Sequence, residues 1–185
     1  MKRIITGQIL LIICCAFYLV WWYRCFQPNK SVNRVGGMNG VLLLMTALLG
    51  IAGVALSLMP VGIPSEAVAT QKFNPSVIMI CGIAVYIILL LITKYGFKRI
   101  VTSELLLIVC WTMLEVSVIN KLNYAGNLSD ARFFPMCCVI AIAFIISIVL
   151  YVAYYRVEEW KAFYLAMIPL ITEAAAMAVL IACAV

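Results

Sequence analysis

Residues 4–23 read IITGQILLIICCAFYLVWWY, an apolar run of 20 residues without a charged side chain. A helix of about 20 apolar residues crosses the roughly 30 Å hydrocarbon core of a bilayer. The run ends in three aromatic residues, as is typical of side chains at the level of the lipid headgroups. Lys2 and Arg3 precede it as in a signal peptide, but the run is long and lacks a small-residue cleavage site. We therefore expect a retained transmembrane helix.

Five more apolar runs of similar length follow the first. Backbone N–H and C=O groups in lipid must be satisfied within their own segment, so each run is predicted to be a helix. The sequence thus predicts an all-α integral membrane protein with six transmembrane helices. The predicted spans cover residues 4–23, 40–60, 76–95, 100–122, 136–155 and 162–185.

The composition limits the classes of function. Apolar residues make up 67% of the 185-residue chain and charged residues 11%, with a mean hydropathy of +1.17. Soluble domains carry about 45–50% apolar and about 25% charged residues, so a soluble catalytic domain is excluded. The absence of histidine excludes His-dependent catalysis and the common zinc sites. The net charge of +6 comes from basic residues between the apolar runs, where they contact headgroups, so no nucleic-acid partner is predicted.

The start of the fourth run repeats the start of the first. Residues 2–14 (KRIITGQILLIIC) and 98–110 (KRIVTSELLLIVC) align without gaps and are identical at eight of thirteen positions, with an offset of 96. Three spans in each half place the halves in opposite orientations, an arrangement common among secondary transporters. We expect one membrane domain built from two inverted three-helix repeats, residues 1–96 and 97–185.

Eight cysteines are present without a C-x-x-C pair, and seven of them lie inside apolar runs. Buried free cysteines behave as small hydrophobic residues, and we expect these to do the same. The alternative is a redox or iron–sulfur pair formed by Cys14 and Cys110, which are equivalent in the repeat. We predict no cofactor, no metal site and no catalytic residue.

The distribution of basic residues predicts an orientation. In the six-span arrangement, loops one, three and five hold eight Lys and Arg residues, and the opposite side holds five. The positive-inside rule places the richer side in the cytoplasm. We therefore expect a multi-pass protein of the plasma (inner) membrane with both chain ends outside, although Lys2 and Arg3 oppose this orientation.

Two glutamates and one asparagine stand out in the fourth span. A carboxylate at the centre of a span costs roughly 2.5–3.5 kcal/mol on insertion scales and therefore needs a partner or a function. Glu115 lies mid-span, and Glu104 lies eleven residues earlier on nearly the same face, about 16 Å away along the axis. For Glu104 the alternative is a structural role as an acid in the first turn that complements the helix dipole. For Glu115 the alternative is a structural hydrogen bond. Asn120 lies five residues after Glu115 and shares its face poorly.

Glu173 lies in the middle of the sixth span, four residues after Pro169. A proline leaves the carbonyl four residues before it, here that of Leu165, without its helical donor. A broken helix beside an acid is typical of the discontinuous helices that bind ions in transporters. The alternative is a packing kink in which Glu173 only bonds a neighbouring helix.

These residues favour a small secondary transporter or a substrate-binding membrane protein with an acidic site near the midplane. The predicted binding residues are Glu115, Glu173, Glu104 and Asn120, and the predicted ligand is a proton, a small cation or a cationic substrate. The protein is predicted to lie in the lipid bilayer and to form a homodimer or part of a larger membrane complex. The alternatives are an accessory or assembly subunit and, less favoured, a lipid-modifying enzyme. The latter is disfavoured because the loop acids are scattered, at Glu66, Asp130, Glu158 and Glu159.

Overall fold

The computed structural model describes residues 2–28, 34–59, 72–96 and 103–184, and for residues 103 and 104 the backbone only. Every regular element in these ranges is an α-helix. Six helical stretches are long and apolar enough to cross a membrane, which confirms the predicted all-helical, six-span class. The helices are α1 (Lys2–Cys25), α2 (Met38–Leu58), α3 (Pro75–Gly96), α4 (Ser103–Tyr124), α5 (Asp130–Tyr154), α6 (Glu159–Leu165) and α7 (Ile168–Ala184).

The sixth span consists of two helices. α6 ends at Leu165, two turn residues follow, and α7 begins at Ile168. Pro169 lies in the first turn of α7 and has no N–H for the Leu165 carbonyl. The helix is therefore interrupted at the proline, as its sequence position predicts.

The fifth helix begins six residues earlier than predicted, at Asp130 instead of Met136. Pro135 lies inside the helix, in its second turn, where it removes a single helical hydrogen bond. The Ser129 carbonyl accepts a hydrogen bond from the Phe133 N–H at 3.0 Å, so the helix is already established before the proline. A proline this close to the start of a helix leaves the helix intact.

The core of the bundle lies where α1, α4, α5 and α7 meet. α4 is the central helix, since it contacts α2, α3, α5 and α7. Four apolar side chains at this junction are completely inaccessible: Leu11, Val118, Ile119 and Met177.

Two helices lie at the periphery. Among the described residues, α3 packs extensively against α4 alone, and only two of its residues, Gly82 and Thr93, are buried. α2 packs mainly against α1 and leaves large side chains such as Ile51 exposed. Exposed apolar surface of this extent on helices of membrane-spanning length faces lipid. The chain is a multi-pass membrane protein whose surroundings are a lipid bilayer.

α1 and α2 cross closely at two glycines. A Cβ added to Gly7 would lie 2.8 Å from the Gly53 carbonyl oxygen and 2.8 Å from the Ser57 backbone nitrogen. Both obstacles are backbone atoms, which cannot move aside as the tip of a side chain can. Small residues at such crossings let transmembrane helices approach each other, and here they bring the polar side chains of α1 against α2.

Replacing Gly7 with alanine is expected to force α1 and α2 apart and to destabilise the fold. Overpacking of this kind costs typically about 1–3 kcal/mol, so the Tm of the detergent-purified protein should fall. Gly96→Ala is the matched control, because a Cβ at Gly96 meets nothing within 4 Å. Equal Tm changes in the two variants would contradict the close crossing.

Candidate functional site

Glu115 lies near the middle of α4 and is completely buried, with 0% of its surface exposed. Its neighbours Leu114 and Val118 belong to the apolar core and keep this part of α4 inside the bundle. Neither carboxylate oxygen has a hydrogen-bond partner in the described part of the protein. Because buried polar groups are normally paired, both oxygens are left available to a proton, a cation or a donor group.

Gln8 of α1 is a polar neighbour of Glu115 and is also completely buried. Its Nε2 donates a hydrogen bond to Ser57 Oγ of α2 at 3.3 Å. Its Oε1 has no partner among the described residues. The crossing of α1 and α2 therefore places the Gln8 amide beside a carboxylate whose oxygens have no hydrogen-bond partner in the described residues.

Glu173 reaches the same interior from α7, in the second turn after the helix interruption. It is 5% exposed, and Ser147 Oγ of α5 donates a hydrogen bond to its Oε1 at 3.3 Å. Ser147 is completely buried. One of the two carboxylates thus has a neutral hydrogen-bond donor, and the other has none.

The two glutamates lie within electrostatic range of each other, and Cys15 of α1 lies within range of both. Neither glutamate takes part in an ion pair within the described ranges. No lysine or arginine is among the buried residues of these ranges. Five residues from five helices form this arrangement, here called the polar cluster: Gln8, Ser57, Glu115, Ser147 and Glu173. It combines two carboxylates, one amide and two hydroxyls, with Glu115 and Glu173 in the middle parts of their spans, Gln8 in the second turn of α1 and Ser57 in the last turn of α2.

Asn120 lies apart from the polar cluster, near the end of α4. Its Oδ1 accepts a hydrogen bond from the Phe73 N–H at 3.0 Å, and its Nδ2 donates to the Phe73 carbonyl at 2.6 Å. It therefore holds the segment that leads into α3. Glu104 is the second residue of α4, and its side chain lies outside the described residues. Binding roles for these two residues stay predictions.

The repeat-equivalent cysteines have different surroundings. Cys14 is buried, and its Sγ donates a hydrogen bond to the Thr46 carbonyl at 3.2 Å, within the α1–α2 packing. Cys110 is exposed. Within the described ranges no three Cys, Asp or Glu side chains are placed to hold a metal ion. The two cysteines therefore differ in burial, Cys14 lying inside the α1–α2 packing and Cys110 at the surface.

Sequence reasoning singled out the two glutamates but not Gln8, Ser57 and Ser147. Gln8 aligns with Glu104 at the offset of the repeat, and this equivalence was the available signal for it. The two serines gave no signal, because single hydroxyls are common in transmembrane helices and only the tertiary packing gives them partners.

No protein family model matches the chain, and no curated protein or solved structure is significantly similar to it. Its function must therefore be inferred from the chemistry of the polar cluster.

Replacing Asn120 with alanine should destabilise the fold without changing the response to cations. The substitution removes both hydrogen bonds to the Phe73 backbone, each of which typically contributes about 0.5–1.5 kcal/mol. The Tm should fall, while any ligand-induced rise in Tm should persist. Asn127→Ala, which removes only a long 3.4 Å bond to Ala125, is the control. An unchanged Tm with a lost cation response would instead make Asn120 a binding residue.

Proposed function

We propose that the protein is a small secondary transporter or a substrate-binding membrane protein, and that a proton, a small cation or a cationic group binds between Glu115 and Glu173. The observation that carries this proposal is the burial of two carboxylates in one apolar interior, with no basic side chain buried in the described ranges. The substrate class follows from the sign of the missing charge, which is positive.

The energetics of burial support this proposal. An ionised carboxylate in a protein interior costs several kcal/mol even after relaxation, and two like charges in that interior also repel each other. The oxygens of Glu115 and Oε1 of Gln8 have no hydrogen-bond partner in the described residues, although the Gln8 amide is near enough to interact with the Glu115 carboxylate. A bound proton or cation satisfies the acceptors and offsets the charge. The polar cluster is therefore most stable when it carries a positive ligand.

The interruption of the sixth span also supports a binding role. Glu173 lies four residues beyond Pro169, so the acid and the break share one face of α7. Discontinuous helices in transporters bind ions and substrates near the midplane in this way, because unwound backbone supplies polar groups that a continuous helix does not.

We further propose that residues 1–96 and 97–185 are inverted repeats. In such a repeat α1, α2 and α3 correspond to α4, α5 and α7. The α1–α2 contact then corresponds to the α4–α5 contact, and the α1–α7 contact corresponds to the α4–α3 contact. All four contacts are extensive. The α5–α7 contact has no equally extensive α2–α3 counterpart among the described residues, so the halves differ in packing. The glutamates have no acidic repeat equivalents, since Leu19 and Val77 occupy those positions.

For the orientation, we propose the plasma (inner) membrane with both chain ends outside, on the basis of the eight-to-five distribution of basic residues. Reporter fusions at each end, active only on one side of the membrane, test this directly.

Substitution of either glutamate by glutamine should abolish ligand binding. The Tm of the purified protein would be measured across about pH 5–9 with a panel of alkali cations and protonated amines. We expect one class of cation to raise the wild-type Tm, less so at acidic pH because protons compete. Glu115→Gln and Glu173→Gln should lose that rise, since an amide carries no charge. An ion-driven uptake assay in proteoliposomes then distinguishes transport from binding alone.

Glu159→Gln is the control for this experiment, because Glu159 is exposed in the first turn of α6. It should retain the full cation-induced rise in Tm. The proposal fails if no cation changes the wild-type Tm and both core substitutions shift it by a constant amount at every pH. The glutamates would then be structural.

An accessory or assembly subunit is the second candidate function, and the exposure of α3 favours it. This helix packs extensively against α4 alone, so its outer surface is available to a membrane partner as well as to lipid. A protein without cation response that purifies in a defined complex through α3 would support this function. The lipid-modifying enzyme, which requires polar groups gathered at one membrane face, gains no support from a polar cluster buried among five helices.

A further inference from the structure

A pocket of about 200 Å³ opens where α1, α4 and α5 meet the turn between α6 and α7. Five of its lining residues are aromatic: Tyr18, Trp22, Tyr151, Tyr154 and Tyr155. None of the side chains that line it carries a formal charge at neutral pH. We call it the aromatic pocket. It lies towards one membrane face, because Trp22 and Tyr154 are near the ends of α1 and α5.

The rings of the aromatic pocket are inclined to one another. Tyr155 is nearly perpendicular to Tyr151 and Tyr154, at 77° and 87°, with centroid distances of 5.3 and 4.9 Å. Tyr18 and Trp22 form the opposite wall, with centroids 6.4 Å apart. Ring faces attract cations through the quadrupole of the π system, and groups of such rings are typical binding sites for quaternary ammonium ions.

The backbone adds an acceptor to this pocket. Leu165 and Pro169 both line it, at the interruption of the sixth span. Because Pro169 has no N–H, the Leu165 carbonyl lacks the donor that a continuous helix would supply. The carbonyl that the proline leaves without its helical donor thus belongs to a residue that lines the pocket, and no charged side chain lines it.

The aromatic pocket lies about one helical turn from the polar cluster. Tyr151 and Ser147 are four residues apart on α5, and so are Pro169 and Glu173 on α7. Residues at this spacing share a helix face and are separated by about 6 Å along the axis. Two helices therefore each connect the wall of the pocket to the Ser147–Glu173 hydrogen bond within about one turn.

On α4, Trp111 lies between the aromatic pocket and the polar cluster along the helix. It lies four residues after Leu107, which lines the aromatic pocket, and four residues before Glu115. Its indole Nε1 is buried and has no hydrogen-bond partner in the described residues. An aromatic side chain with an unused donor thus separates the pocket from the unpaired carboxylate.

We propose that the aromatic pocket binds an organic ammonium group, quaternary or alkylated, before that group reaches Glu173 and Glu115. The second step rests on the proposed function. The pocket alone specifies the ligand: ring faces and one carbonyl suit a weakly hydrated organic cation, whereas an anion would find no basic side chain there. A small alkali ion would lose its hydration shell and gain too few oxygen ligands.

Calorimetric titration of the purified full-length protein with choline tests this proposal. Tyr154→Leu should weaken choline binding about two- to thirtyfold, the range expected for one cation–π contact. Tyr154→Phe should bind as the wild type does, because it keeps the ring. Tyr164→Leu is the control, since Tyr164 is an exposed aromatic residue of α6 that does not line the pocket. Tyr18→Leu, on the opposite wall, should also weaken choline binding. With two variants, the conclusion does not depend on whether one of them folds.

Dimethylbutanol, the uncharged carbon isostere of choline, should not bind detectably. If it binds as well as choline, or if neither choline nor tetraethylammonium binds the wild type, the proposal is overturned. Repeating the titration in phosphatidylcholine and in phosphatidylglycerol nanodiscs identifies the source of the group. Competition by phosphatidylcholine alone indicates a lipid headgroup, and equal binding in both indicates a free organic cation.

The same titration separates this inference from the proposed function. Choline binding that depends on Tyr154 but not on Glu173 or Glu115 supports the aromatic pocket and removes the glutamates from the path. Binding that depends on the glutamates but not on Tyr154 or Tyr18 supports the acidic site and overturns the pocket.

Discussion

Two carboxylates in one apolar interior, with no buried basic side chain in the described ranges to offset them, are the constraint on which this account rests. Glu115 comes from α4 and Glu173 from α7, and the two lie within electrostatic range of each other. An interior of this kind does not stabilise two unpaired negative charges. The two carboxylates must therefore bind either a proton or a cation.

The scaffold meets this requirement in two ways. Close approach of α1 and α2 at their glycines buries Gln8 beside Glu115, where its Oε1 adds an acceptor. The interruption at Pro169 places Glu173 one turn below unwound backbone, where Ser147 gives it a neutral donor. Both devices add polar atoms to the interior without adding positive charge. A purely structural hydrogen-bonding role would leave both acids paired, and Glu173 is paired with Ser147, whereas the Glu115 oxygens have no hydrogen-bond partner in the described residues.

Much of the fold could be predicted from the sequence because one physical requirement, the length of an apolar helix in lipid, determines it. The start of α5 could not, because Pro135 has the chemistry of a helix boundary and yet lies inside the helix, as prolines in transmembrane helices can when neighbouring groups satisfy the freed backbone. Glu115 and Glu173 were identifiable because charge is expensive in a span. Gln8 and Ser147 were not, because neutral polar side chains are tolerated there and acquire meaning only from their neighbours. Asn120 was proposed for its polarity, whereas its two hydrogen bonds to Phe73 depend on a contact distant in sequence.

Infrared difference spectroscopy of the carboxyl groups tests the central claim most directly. In a neutral buffer free of sodium and potassium, the wild type should show the C=O stretching band of a protonated carboxyl group buried away from water. Addition of a cation that binds should remove that band. Glu115→Gln or Glu173→Gln should remove or shift the band, and the control Glu159→Gln should leave it unchanged. A spectrum without a protonated carboxyl, or with a band insensitive to both core substitutions, would contradict the account.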